Sequence, residues 1–161
     1  VKIYIAAPWE LKDDAYDLGY KITELGPLSD MVVSRWFERP PTFSVDHPID
    51  QLITETAEID RAELRLADTF IALCPETWHG RGTGGRHVEF GIAIERGLKL
   101  IVIGKKSNVY YYLPGVIHFN TPEDFLEYYK NSPRRLYGKD TGHAPKYSAT
   151  AGGKPRPEDA R

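Results

Sequence analysis

Five short apolar runs, most of them rich in β-branched residues, alternate along this chain with segments of helical period, and that alternation restricts the fold more than any other feature. The runs are Lys2 to Ala6, Met31 to Val33, Asp68 to Cys74, Leu100 to Ile103 and Val116 to Phe119. Between them, Ala15, Leu18, Ile22 and Leu25 recur at helical spacing before the stop signal Gly26-Pro27. A second helix is expected from about Ile49 to Ala67, with a buried seam of Ile53, Ala57, Leu64 and Ala67 and with Asp60 in its midst. A third runs from the glycine-rich loop to Gly97, and Thr121-Pro122 opens a last one with a cap and a proline at its first position. The order βαβαβαββα with apolar strands predicts an α/β three-layer sandwich, a mainly parallel five-stranded sheet covered by helices and Rossmann-like in the loose sense.

At 161 residues the chain suits one compact domain. That domain is expected over 1–130, because from 131 to 161 the composition turns basic and rich in Gly and Pro, with almost no aliphatic residues to build a core. The extension carries seven Lys or Arg against three acids, and the preceding body 14 against 20. A solvated or partner-draped tail is one explanation, and contact with nucleic acid the other. No apolar run approaches the length of a membrane span, and Val1-Lys2-Ile3-Tyr4 enters a strand pattern directly, so no signal peptide and a cytoplasmic location are expected. The one cysteine, Cys74, excludes an internal disulfide. Neither metal-ligand spacing among the histidines nor a nucleophile elbow appears, so no metal and no cofactor are expected.

Ligands of open parallel sheets bind beyond the carboxyl ends of the strands. Here that rule selects the loops holding Ala6, Pro8 and Trp9; Ser34, Arg35, Trp36 and Phe37; Pro75 to Gly85; and Gly104 to Pro114. Two tryptophans, an arginine, tyrosines and a glycine-rich turn suit a flat aromatic ligand with a polar handle. The loop Gly80-x-Gly82-x-Gly84-Gly85 departs from the spacing of dinucleotide and P-loop motifs. It either offers amides and Arg86 to an anion or simply starts a helix. Tyr110-Tyr111-Tyr112 is either a pocket wall or a subunit contact.

Two carboxylates stand out. Glu89, in the first turns of the third helix between Val88 and Phe90, either compensates the helix dipole or acts as a nucleophile at a sugar carbon, with Gly91 allowing close packing beside it. Asp60 on an apolar seam needs a partner, either Arg61 or Arg65 in a salt bridge, or a role as a proton donor whose pKa is raised by burial. Two carboxylates with an aromatic pocket suggest cleavage or exchange of a glycosidic bond.

Ile3-Tyr4-Ile5-Ala6-Ala7-Pro8-Trp9, then Ile59-Asp60 leading to Ala67-Asp68-Thr69-Phe70-Ile71-Ala72, then Gly84-Gly85-Arg86-His87-Val88-Glu89-Phe90-Gly91-Ile92-Ala93 occur in the order of a known family. Over roughly residues 1–105 the chain resembles the nucleoside 2-deoxyribosyltransferases and the related deoxynucleoside 5′-monophosphate N-glycosidases. The resemblance implies a flavodoxin-like fold and double displacement through a covalent glutamyl-deoxyribose intermediate. It assigns Glu89 as nucleophile, Asp60 as the group assisting departure of the base, Tyr4 as the residue orienting Glu89, and Trp9 to the wall of the pocket. The family's second aspartate is replaced by Thr83. Ser34, Arg35 and Arg86, with the amides of Gly84 and Gly85, are the candidates for holding a 5′-phosphate. The implied partners are a small nucleoside or nucleotide and further copies of the chain, in a homo-oligomer where a neighbour's C-terminal segment often completes the site. A nucleotide-binding or sensing protein that uses the same pocket without chemistry is the alternative.

Overall fold

A computed structural model describes residues 1–39, 49–75 and 84–131 of the chain, with backbone alone for 49–53. Its strands are β1 (Lys2–Ala6), β2 (Met31–Val32), β3 (Thr69–Cys74), β4 (Lys99–Gly104) and β5 (Ile117–Phe119). The helices are α1 (Lys12–Leu25), α2 (Ile49–Leu66), α3 (Gly85–Glu95) and α4 (Pro122–Asn131). All strands pair in parallel in the order β2-β1-β3-β4-β5, the doubly wound order in which the chain reverses direction between β1 and β3. The α/β sandwich expected from the alternation is therefore the fold, and every strand of the sheet is parallel.

Strand periodicity divides the core into two faces. Ile3, Ile5, Ile71, Leu73, Ile101 and Ile103 point to one side, where Ala15, Leu18 and Ile22 of α1 and Phe125 and Tyr129 of α4 cover them. Tyr4, Ala6, Phe70, Ala72, Cys74 and Val102 point to the other, against Leu64 of α2, the following Ala67, and Phe90 and Ala93 of α3. Tyr4 thus belongs to the face that carries the helices of Asp60 and Glu89. Tyr111 also enters this second core, whereas Tyr110 and Tyr112 are exposed.

Two packing expectations need correction. Ala57 is exposed rather than part of a buried seam, and Leu64 and Ala67 carry the contact. An 18-residue helix is about 27 Å long and a six-residue strand about 20 Å, so α2 is longer than the strand it accompanies by about 7 Å. The Ile53 side chain and the prolines at 40, 41 and 48 lie outside what is described. Gly91 makes no close approach, since a Cβ there would meet nothing within 4 Å among the described residues. The glycine that does is Gly104, at φ +94°, where a Cβ would collide with the Cys74 carbonyl of the neighbouring strand. No helix of the described residues is long and apolar enough to cross a membrane.

Candidate active site

Glu89 stands on the fifth residue of α3, a helix entered through Gly84 in the left-handed conformation at φ 77°. The Tyr4 hydroxyl, from the middle of β1, donates to Glu89 Oε1 at 2.6 Å. Tyr4 is fully buried and its ring stacks on Phe70, with centroids 5.7 Å apart, so the hydroxyl is aimed by packing on a rigid strand. Burial, reinforced by the Glu89 charge, pushes the Tyr4 phenol far above its ordinary range. Tyr4 is therefore always a donor here and never an anion. Glu89 is itself pushed up to about 7, chiefly by burial, with the charges of Asp60 and Glu63 adding; the Tyr4 hydrogen bond and the Arg86 charge oppose this. Such a carboxyl is partly protonated near neutral pH.

Asp60, on the facing helix α2, is half-buried. Its partner is neither Arg61 nor Arg65 but Arg39, whose Nη1 lies 2.9 Å from Asp60 Oδ1. Both local arginines stay exposed, because they project from the solvent side of α2, while Arg39 arrives from the segment after β2. Burial raises the Asp60 pKa, the charge and hydrogen bond of Arg39 pull it back, and Glu63 raises it further.

Glu63 and Arg39 escaped the sequence reading. Glu63 is only 5% exposed and sits three residues after Asp60, hence on the same face of α2. Its Oε2 accepts from the Arg35 backbone N–H at 3.0 Å, and its Oε1 lies 3.3 Å from Arg35 Nε and 2.8 Å from Arg39 Nη2. A second acid beside Leu64 was a signal of the same kind as Asp60. Arg39, 21 residues from Asp60, gave none.

The phosphate candidates separate. Ser34 is buried, and its Oγ accepts the Ile5 N–H at 2.9 Å, while Trp36 Nε1 donates to the Ile5 carbonyl at 2.7 Å. Since β2 ends at Val32, these two side chains continue its hydrogen bonding to β1 where the strand has stopped. Arg86 is buried and turned inward, with Nη1 on the Leu73 carbonyl at 3.0 Å. Arg35 alone of the three holds its side chain at the surface, 68% exposed. A Cβ at Gly84 or Gly85, at the start of α3, would meet nothing within 4 Å among the described residues. No family model, curated protein or solved structure matches the chain.

The remaining lining follows from β1. Ala6 is buried at its end, and Pro8 leads the 3-10 turn Trp9–Leu11. Trp9 is 48% exposed, 6.3 Å from the Trp36 ring, with Lys12 Nζ 4.9 Å above it. Thr83 and the glycines at 80 and 82 lie outside the described residues. Cys74 is a buried thiol whose pKa is raised by burial, in keeping with a core position. His87 rests 3.1 Å from Asn108 Nδ2. Among the described residues no group of three or more His, Cys, Asp or Glu side chains is arranged to hold a metal.

Proposed function

We propose that the chain is an N-glycosyl enzyme that cleaves or exchanges the base of a 2′-deoxynucleoside or its 5′-monophosphate, as its resemblance to the nucleoside 2-deoxyribosyltransferases implies. The observation that carries this is the hydrogen bond between Tyr4 in the middle of β1 and Glu89 on α3, with Asp60 close enough for its charge to act on both residues.

In this reading the Glu89 carboxylate attacks the anomeric carbon as the C1′–N bond breaks. The bonding pair leaves with the base, whose nitrogen takes a proton from Asp60. Tyr4 holds the carboxylate toward its target. Water or a second base then attacks C1′, the glutamyl ester bond breaks, and Asp60 recovers a proton from the acceptor. The chemistry needs one proton on the Asp60–Glu89 pair, and the raised pKa values of both acids favour that state near neutrality. Trp9 and Trp36 offer faces for the base, and the exposed Arg35 guanidinium offers a contact for a 5′-phosphate.

The test is chromatography of free base from deoxynucleosides and their 5′-monophosphates, with and without an acceptor base, for the wild type and Glu89→Gln. A new nucleoside formed only with acceptor marks transfer, and release without acceptor marks hydrolysis. Either should vanish in Glu89→Gln while binding persists. A folded protein that turns over nothing in the panel would leave a nucleotide-binding role instead.

A further inference from the structure

Arg39 belongs to none of the segments that carry the family resemblance, yet it is the residue that joins Asp60 and Glu63 of α2. Its guanidinium reaches Asp60 Oδ1 through Nη1 and Glu63 Oε1 through Nη2, at 2.9 and 2.8 Å. We infer that Arg39 is a positioning residue for Asp60, with the buried Glu63 as the anchor against which it grips that carboxylate. The inference rests on the role proposed above for Asp60.

The Nη1 hydrogen bond to Asp60 is directed, whereas the Nη2 contact with Glu63 is an ion pair without hydrogen-bond geometry, so Glu63 holds the guanidinium by charge and proximity while Nη1 sets the direction toward Asp60. Glu63 cannot yield, because the Arg35 backbone N–H occupies its Oε2 at 3.0 Å and the helix holds it buried. Arg39 is secured in turn at its backbone, donating to the Trp36 carbonyl at 3.3 Å and accepting from Lys12 Nζ at 3.3 Å. Trp36 is locked by its indole to Ile5 on β1, one residue from Tyr4. The donor that aims Glu89 and the clamp that aims Asp60 therefore hang from the same strand. A shift of that clamp displaces the two acids relative to each other.

Among the described residues, the charged and titratable groups that act on Asp60 are Glu63 from α2, Arg39 from the segment after β2, Tyr4 from β1 and Glu89 from α3; Arg35 acts on Glu63 and Arg86 on Glu89. Among the described residues only Arg39 both touches Asp60 and opposes its protonation. Its removal should raise the Asp60 titration and, by leaving Asp60 neutral over a wider range, lower that of Glu89. Charge and grip can be separated, since lysine retains the first but does not span both carboxylates as a fork.

The experiment combines kinetics of base release with carboxyl-carbon NMR titration of the full chain for the wild type, Arg39→Gln and Arg39→Lys, with folding checked by thermal melting. Expected are an upward shift of Asp60 in Arg39→Gln, a titration near wild type in Arg39→Lys, and kcat lowered by about tenfold to a hundredfold in both, with KM little changed. Wild-type kcat in Arg39→Lys, or an Asp60 titration unmoved in Arg39→Gln, overturns the inference. If Arg39→Gln does not fold, Arg39→Lys decides by its kcat alone. A folded wild type that releases no base defeats the enzymatic reading separately, and the Asp60 titration still decides whether Arg39 governs that carboxylate.

Discussion

The Tyr4 hydroxyl donates a 2.6 Å hydrogen bond to Glu89 Oε1, tying the centre of β1 to the second turn of α3 across 85 residues of chain. Both side chains lie on the sheet face covered by α2 and α3, so the contact is a consequence of which way position 4 points in its strand.

Tyr4→Phe keeps the ring on Phe70 and removes only the donor. Because that hydrogen bond holds the Glu89 pKa down, the variant should titrate Glu89 above the wild-type value of about 7. Base release should fall by about tenfold to a hundredfold through lost orientation. Steady-state kinetics with a carboxyl titration of the same protein would check both, and wild-type rates would remove Tyr4 from the mechanism.

Stability should depend on pH through Glu89. An acid whose pKa rises from 4.5 unfolded to about 7 folded holds its proton more tightly in the folded state. Its contribution is complete below about 4.5 and is lost as pH climbs through about 7, a decline of up to about 3 kcal/mol. Glu89→Gln has no proton to lose, so it should lack this decline and exceed the wild type in stability at pH 8. Urea denaturation from pH 4.5 to 8.5 would show it, and parallel curves for the two proteins would refute it.

Asp60→Asn should change the shape of the rate profile. With one shared proton as the active state, the wild-type kcat/KM is bell-shaped and its alkaline limb falls near pH 7. Without Asp60 the alkaline limb disappears, the Glu89 pKa drops, and activity rises with pH to a low plateau. The loss should be greatest for bases that are poor leaving groups. A variant profile that keeps both limbs would show that another group supplies the proton.

Gly104→Ala should destabilise the fold by about 2 kcal/mol or more, since it combines a left-handed backbone with a collision against the Cys74 carbonyl. Gly115, at φ +90° but with nothing among the described residues within 4 Å of a Cβ, isolates the backbone part; its alanine variant should lose only about 1 kcal/mol. Equal losses in denaturant titrations would mean that the approach of β4 to β3 is not the constraint.

Much of the molecule was legible in local periodicity. The alternation of Ile3 and Ile5 with Tyr4 and Ala6 already separates the two faces of β1, and the helical spacing of Ala15, Leu18 and Ile22 already names the covering side of α1. Glu89 and Asp60 were conspicuous as acids among apolar neighbours, an anomaly that burial makes costly without a partner. Periodicity records how deeply a position is buried within its own element. It does not record what arrives from elsewhere in the chain.

The sequence by itself thus determined the element order, the parallel sheet and the core on both sheet faces, and it marked Glu89 and Asp60 as acids needing partners; the pairing of Tyr4 with Glu89 was only what the family resemblance implied. Only the tertiary structure decided the partners: Arg39 rather than Arg61 or Arg65 on Asp60, Glu63 as an anchor, and Ser34 and Trp36 completing the hydrogen bonds of β1. It also set Arg86 Nη1 on the Leu73 carbonyl, a contact 13 residues away that its place at a helix start did not announce. The physical reason is that an ion pair or hydrogen bond depends on distances of about 3 Å between groups tens of residues apart. Those distances are set by where β2 stops and how the following turn is held against β1, which no local pattern encodes.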